Sequence, residues 1–209
     1  VELHRSTTLR ILRTLAANGY TVFEPRSRTW IIGPAILRLQ AGARFINNLQ
    51  QSASPFMQQL SSDVGETVQL AAMIDDEVCY LQKIEPPEQQ VRVLSEVGDR
   101  RPLYCTALGK ALMSGLGPGE LSALIARLDL VRHTDRTITD PALLRQEVEE
   151  AARRGYSLDR REYNRLVQCS AAPIRDPSGN VIAALSVSAV GVEDGSEAFQ
   201  RIIVRNVET

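Results

Sequence analysis

The fold is decided near the start of the chain, by the stretch Leu3-His-Arg-Ser-Thr-Thr-Leu-Arg-Ile-Leu-Arg-Thr-Leu-Ala-Ala-Asn-Gly-Tyr20. From Thr7 to Asn18 its apolar residues recur at helical spacing, with Ser6 placed to cap the helix and Gly19 placed to end it. Two short β-branched and aromatic runs follow, around the basic turn Pro25-Arg-Ser-Arg-Thr29, a pattern typical of a hairpin. A short helix followed by a basic hairpin is the order of a recognition helix and wing in a winged helix-turn-helix.

The charge distribution favours a nucleic-acid partner for this stretch. Residues 1–44 carry seven arginines and two glutamates, a net charge of +5, whereas the remainder carries 17 basic and 23 acidic residues, a net charge of −6. Arginine pairs with phosphates and guanine edges, and hydroxyls at a helix start bind phosphate oxygens. The candidate DNA-binding residues are His4, Arg5, Ser6, Thr7, Thr8, Arg10 and Arg13 on the helix, and Arg26 and Arg28 on the hairpin. The alternative is a solvated arginine-rich surface.

Composition excludes several classes of protein. The chain has 209 residues, 44% hydrophobic and 23% charged, as expected for one or two globular domains. No apolar run approaches the ~20 residues of a membrane span, so we expect no membrane partner. The cysteines Cys79, Cys105 and Cys169 lie far apart without a C-x-x-C pair, and the chain has two histidines. We therefore expect no metal site, no cofactor, no disulfide framework and a cytoplasmic location.

The remainder of the sequence mixes helix and strand patterns. We predict helices at 35–49, 54–64, 106–116, 118–128, 141–154 and 197–207. We predict strands at 67–74, 78–84, 91–97, 167–174 and 181–190, turns at 75–77 and 176–180, and an extended stretch after Gly155. The fold class is α/β of the α+β type: a partial winged helix-turn-helix (1–33), a linker helix (34–50) and a body (51–209) with an antiparallel-type sheet and flanking helices.

The motifs of enzymes are incomplete in this chain. Thr106-Ala-Leu-Gly-Lys-Ala111 resembles the end of a phosphate loop but lacks the first glycine and the final Ser or Thr. A nucleophilic Cys169 needs a base, and nothing in the sequence places His133, the one histidine of the body, beside it. We therefore expect no catalytic residues and no enzymatic activity.

Several body residues instead suggest a small-molecule pocket. Ser186 and Ser188 lie two apart on an alternating strand, so both hydroxyls face one side. The helix start at Thr106–Gly109 offers backbone N–H groups to an anion, most simply a carboxylate. The other candidates are Asp159 and Cys169, which flank neighbouring strands, and the apolar Met73, Val91, Val93 and Val167. The alternatives are serines that face solvent, a Cys169 in the core, and a closed domain without a ligand.

Seven segments, in order along nearly the whole chain, carry a family resemblance. They are Leu3–Tyr20, Trp30–Gly33, Val64–Leu70, Val97–Leu112, Arg154–Glu162, Cys169–Ile174 and Gly179–Ser188. Together they resemble the IclR family of bacterial transcriptional regulators. The resemblance implies a winged helix-turn-helix joined by a helix to a GAF-like effector-binding domain, assembled as homodimers or homotetramers on operator DNA.

The resemblance also implies site residues. In members that bind small carboxylates, the ligand lies against the backbone at the positions of Ala107 and Leu108, and the positions of Asp159, Val167, Cys169, Ser186 and Ser188 line the same pocket. Because the family's recognition helix follows other helices, we expect only part of the DNA-binding domain in this sequence. The hypothesis is a DNA-binding regulator that senses an organic acid or aromatic carboxylate; the alternative is a stand-alone small-molecule-binding module without DNA binding.

Overall fold

The computed structural model describes residues 4–37, 44–87 and 94–191. The chain divides into two compact units, Val1–Leu49 and Gln50–Thr209. The predicted helix 197–207 and part of the predicted linker helix lie outside the described residues.

Residues 4–33 of the N-terminal unit form a helix and a hairpin, as the sequence predicts. Helix α1 spans Arg5–Ala17, and strands β1 (Thr21–Glu24) and β2 (Thr29–Ile32) pair antiparallel. Gly19 ends the helix, as predicted, because its φ of +76° is a conformation that side chains other than glycine rarely adopt.

The prediction of Ser6 as the cap of α1 is wrong. The cap is His4, whose backbone is extended (φ −61°, ψ 141°) and whose Nδ1 accepts the Ser6 N–H at 3.4 Å. A capping residue lies outside helical geometry, and Ser6 lies inside the first turn. The helix therefore begins earlier than its apolar periodicity indicates.

The larger unit is built on a six-stranded antiparallel sheet with the order β5-β4-β3-β8-β7-β6. The strands are β3 (Thr67–Ile74), β4 (Glu77–Ile84), β5 (Arg100–Pro102), β6 (Ser157–Arg160), β7 (Val167–Arg175) and β8 (Val181–Val190). The helices are α2 (Arg44–Val64), α3 (Ala107–Met113), α4 (Pro118–Arg127) and α5 (Pro141–Arg154). An antiparallel sheet with flanking helices confirms the predicted α/β fold class.

Helices α3, α4 and α5 share one hydrophobic core with the sheet. Leu112 and Met113 of α3, Leu124 of α4 and Leu144 of α5 are all buried in it. Helix α2 is hydrogen-bonded to β4, where the Gln82 side chain donates to Ser54 Oγ at 3.1 Å. None of the helices in the described ranges combines the length and apolar character that a bilayer crossing requires.

The predicted break between helices 35–49 and 54–64 is wrong. Helix α2 is continuous from Arg44 to Val64, with Pro55 inside it. A proline removes one helical hydrogen bond, but Met57 and Leu60 in the next turns are 0% and 1% exposed, and their burial favours a continuous helix.

Two further elements differ from their predictions. The described part of the predicted strand 91–97 is not a strand: the Glu96 N–H donates to Asp99 Oδ2 in a turn that contains Gly98 at φ +91°. Helix α3 ends at Met113 instead of 116, because the Gly115 and Leu116 N–H groups donate three residues back and close the helix. Residues 91–93 lie outside the described ranges.

Candidate functional site

A cavity of about 240 Å³ lies in the larger unit, between the sheet and the start of α3. It is lined by eight of the predicted effector-binding residues: Thr106, Ala107, Leu108, Asp159, Val167, Cys169, Ser186 and Ser188. The register of the sheet explains this convergence, because Asp159 lies opposite Cys169 and Cys169 lies opposite Ser188 on three neighbouring strands.

Two other predicted residues, Met73 and Gly109, are not among those that line the cavity. Met73 packs against the hydrophobic core, beyond a register shift between Leu70 and Ala71. Gly109 is a packing residue, since a Cβ there would lie 2.1 Å from the Leu103 carbonyl oxygen. Val93, like Val91, lies outside the described residues.

A hydrogen-bonded chain of side chains runs along the cavity wall. The Cys169 Sγ lies 3.2 Å from Ser188 Oγ, and the Ser188 hydroxyl donates to Gln69 Oε1 at 3.1 Å. The amide of Gln69 in turn donates to Ser95. Burial raises the pKa of Cys169, so this thiol stays protonated.

Ser186 differs from Ser188 in having no partner. Its side chain is 1% exposed, and its Oγ has no hydrogen bond to any described residue. Ser186 lies opposite Gln69 in the sheet and lines the cavity. A buried hydroxyl without a partner costs about 1–3 kcal/mol, and a ligand in the cavity can supply that partner.

The start of helix α3 offers fewer N–H groups than its sequence indicates. Thr106 caps the helix, and its Oγ1 accepts the Gly109 N–H at 3.1 Å. The Lys110 N–H donates to the Thr106 carbonyl. Within the predicted range, the N–H groups of Ala107 and Leu108 precede these bonds, and both residues line the cavity.

Asp159 is a buried acid at the cavity wall. It is 4% exposed, and its Oδ1 accepts the Glu162 N–H at 2.7 Å. Desolvation raises the pKa of Asp159 to about 7; the Lys110 ammonium opposes this shift and the Glu162 carboxylate adds to it. Lys110 and Glu162 form a buried ion pair with 2.5 Å between Nζ and Oε1.

Sequence reasoning missed nine lining residues: Gln69, Tyr80, Leu94, Ser95, Arg101, Tyr163, Asn164, Leu166 and Val190. Arg101 matters most, because it brings a cation to the cavity. Its guanidinium donates to the Leu94 carbonyl and to Asp99, and lies 5.8 Å from the centre of the Tyr163 ring. The available signal was its place five residues before Thr106, in the segment predicted to lead into the pocket.

The predicted DNA-binding residues lie on the surface of the N-terminal unit. All are exposed except the half-buried Thr7, and Ser6, Arg10 and Arg13 follow one another at helical spacing on α1. Arg26 and Arg28 lie in the turn between β1 and β2. Among the described residues, Arg10 and Arg13 have no acidic partner within ion-pair distance.

Comparison with known proteins gives a consistent result over most of the chain. The family model described as "Bacterial transcriptional regulator IclR C-terminal" matches residues 46–203. The transcriptional regulator BhcR of Paracoccus denitrificans is 34% identical, over 90% of this chain and 67% of its own length. The transcriptional regulator KdgR of Escherichia coli is 32% identical, over 97% of this chain and 77% of its own length.

A solved structure extends this similarity to three dimensions. An IclR homologue from Microbacterium hydrocarbonoxydans, crystallised with 4-hydroxybenzoate, superposes with a TM-score of 0.81 at 27% identity. The match covers 98% of this chain and 84% of that one.

Proposed function

This chain belongs to the IclR family of bacterial transcriptional regulators, and from that premise we propose that it binds operator DNA and senses a small organic acid in the cavity of its larger unit. The acid modulates operator binding, and the protein acts as a homodimer or homotetramer, because helix-turn-helix proteins read paired half-sites. The protein is a regulator and not an enzyme, in line with the names of its relatives.

The surface of the N-terminal unit supports the DNA-binding part of this proposal. Arg10 and Arg13 are exposed on one helix, and Arg26 and Arg28 are exposed at the tip of the hairpin. A recognition helix and a wing place their cations in this way against base edges and phosphates. The remaining chain has a net negative charge, so the excess of basic residues is restricted to the N-terminal part of the chain.

The observation that carries the acid-sensing part is the unpartnered Ser186 hydroxyl inside the cavity. Arg101 and the first residues of α3, Ala107 and Leu108, line the same cavity and carry a guanidinium and backbone N–H groups. These groups are hydrogen-bond donors, and a carboxylate accepts several donors at once. At about 240 Å³ the cavity is smaller than the ~300–1,000 Å³ of most drug-sized pockets, so the ligand is small.

The test compares Ser186→Ala with Ser178→Ala, a control in the exposed turn between β7 and β8. Thermal shift against pyruvate, benzoate and 4-hydroxybenzoate identifies the acids that bind. Anisotropy with a DNA sequence selected in vitro then shows whether they change operator affinity. We expect Ser186→Ala to weaken acid binding by about 5- to 30-fold and Ser178→Ala to leave it unchanged. Acid binding that is insensitive to Ser186→Ala would remove this cavity as the sensor.

A further inference from the structure

The charged groups around the cavity are unevenly balanced. Among the described residues that line it, Arg101 is the cation and Asp159 is the anion, but Arg101 already pairs with Asp99 at 3.2 Å and so does not offset Asp159. Behind Asp159, Lys110 and Glu162 are both buried and lie 2.5 Å apart, so their charges cancel. The other titratable groups near Asp159 are Tyr163 and three residues whose pKa burial raises, so that they stay uncharged: Tyr80, Cys105 and Cys169. An ionised Asp159 therefore leaves one uncompensated negative charge at the cavity wall.

Resting on the acid-sensing function proposed above, we infer that the cavity binds a monocarboxylic acid as its anion against Arg101 and that Asp159 takes up one proton when the acid binds. The proton comes from solvent: the free acid is an anion at neutral pH, and the bound state holds that anion beside a neutral carboxyl group. Arg101 thereby selects for a carboxylate, and Asp159 makes the affinity of the cavity for that carboxylate depend on pH.

Arg101 is positioned to accept such a ligand. Its side chain is 24% exposed, so it is neither fully hydrated nor fully enclosed. Its described acceptors are the Arg100 and Leu94 carbonyls and Asp99 at 3.2 Å. A guanidinium has five N–H groups, so it retains donors for a carboxylate in the cavity. The neighbouring Arg100 instead pairs with Asp75 and Glu77 on the surface.

The remainder of the lining limits the ligand to one charge. The single lining cation is already shared with Asp99, so a second carboxylate would lack a counter-charge among the described residues. The other walls are apolar or aromatic and include Leu108, Val167, Val190 and the rings of Tyr80 and Tyr163. Such walls suit an aromatic or aliphatic body better than a second charged group.

Asp159 is the group that must adjust when an anion enters. Its Oδ1 already accepts the Glu162 N–H at 2.7 Å, and the residue is only 4% exposed, so bulk water does little to stabilise its charge. Two anions in one buried cavity repel each other, and protonation of one relieves the repulsion. A pKa of Asp159 of about 7 supports this, because the proton then binds at little cost at neutral pH.

Calorimetry of the intact protein tests the inference. Benzoate, 4-hydroxybenzoate and pyruvate are titrated at about pH 8 in HEPES and in Tris, whose ionisation heats differ, and again at about pH 6. Benzamide serves as the neutral match of benzoate, and succinate as a dianion. We expect uptake of nearly one proton per acid at pH 8, little uptake at pH 6, and an affinity that falls by up to about tenfold per pH unit above 7.

Variants separate the roles of the two charged residues. Asp159→Asn is expected to retain acid binding but to lose proton uptake and pH dependence. Arg101→Gln is expected to weaken benzoate binding by about tenfold or more, whereas the control Arg100→Gln leaves it unchanged. Binding of acids without proton uptake, equal binding of benzamide or succinate, or an unaffected Arg101→Gln would each overturn the inference and leave acid sensing intact. Failure of every acid to bind at pH 6 would instead overturn acid sensing itself.

Discussion

The two units of the chain differ in which side chains they expose and which they bury. In the N-terminal unit helix α1 has no buried residue, and Phe23 and Ile32 are 45% and 77% exposed. In the larger unit one hydrophobic core joins the sheet to helices α3, α4 and α5, and even Lys110 is 0% exposed. The N-terminal unit therefore presents its functional groups to solvent, whereas the larger unit builds its site from buried polar groups. Substitutions should have correspondingly different consequences in the two units.

The largest expected effect is on the buried ion pair of the larger unit. Lys110→Met removes the partner of Glu162 and leaves a buried carboxylate uncompensated, so we expect a loss of about 3–5 kcal/mol in the free energy of unfolding. Arg153→Met removes one partner of the exposed Arg153–Glu150 pair and should leave that free energy almost unchanged. Urea denaturation followed by circular dichroism measures both. A loss below about 1 kcal/mol for Lys110→Met would contradict the expected difference between the buried and the exposed ion pair.

The next effect concerns the exposed arginines of the N-terminal unit. We expect Arg10→Ala with Arg13→Ala to weaken operator binding and to reduce the slope of log K against log salt by about one unit for each DNA phosphate that is no longer neutralised. Stability should change little, because both side chains are exposed. Anisotropy at several salt concentrations gives the slope. The control is Arg145→Ala with Arg153→Ala, which removes the same charge from α5; an equal reduction of the slope would show a nonspecific charge effect.

The contrast between the units also explains how much the sequence could predict. Periodicity alone located α1, β3, β8 and α5, because each has one apolar face. Its errors lie where local signals compete with packing, as at Pro55, where burial keeps a helix continuous across a proline. Leu94 and Val97 of the predicted strand 91–97 are apolar yet 91% and 60% exposed, so the strand-like pattern of this segment was misleading.

The candidate site was partly predictable for a similar reason. Ser186 and Ser188 follow from strand alternation, and the position of Asp159 follows from the family resemblance. Tyr80 and Gln69 reach the cavity through the order of strands in the sheet, which no local pattern contains, whereas the place of Arg101 shortly before Thr106 was a local signal. The helix start at Thr106–Gly109 was predicted to offer free backbone N–H groups, but the Gly109 N–H donates to the Thr106 side chain. Sequence thus locates the elements of a buried site better than its hydrogen-bond partners.

A smaller effect is expected from the pH dependence of the buried acid. The pKa of Asp159 is about 7 in the folded protein and near its ordinary value of 3.8 when unfolded. Its stabilising contribution is therefore complete below about pH 4 and is lost as the pH rises through 7. Relative to Asp159→Asn, the wild type should lose about 1–3 kcal/mol of unfolding free energy between pH 5 and pH 8. Parallel pH profiles for the two proteins would show that Asp159 does not titrate in this range.

The smallest effects come from two helix caps that perform the same task in the two units. In the larger unit the buried Thr106 hydroxyl lies 3.1 Å from the Gly109 nitrogen, and Thr106→Ala should cost about 1 kcal/mol. In the N-terminal unit the exposed His4 Nδ1 accepts the Ser6 N–H at 3.4 Å and lies 2.8 Å from Ser6 Oγ, and water can replace both exposed contacts, so His4→Ala should cost less than Thr106→Ala. Trp30, the single tryptophan, lies in β2 and reports unfolding of the N-terminal unit by fluorescence, while circular dichroism is dominated by the larger unit. A His4→Ala shift as large as that of Thr106→Ala would mean that exposure does not decide the strength of these caps.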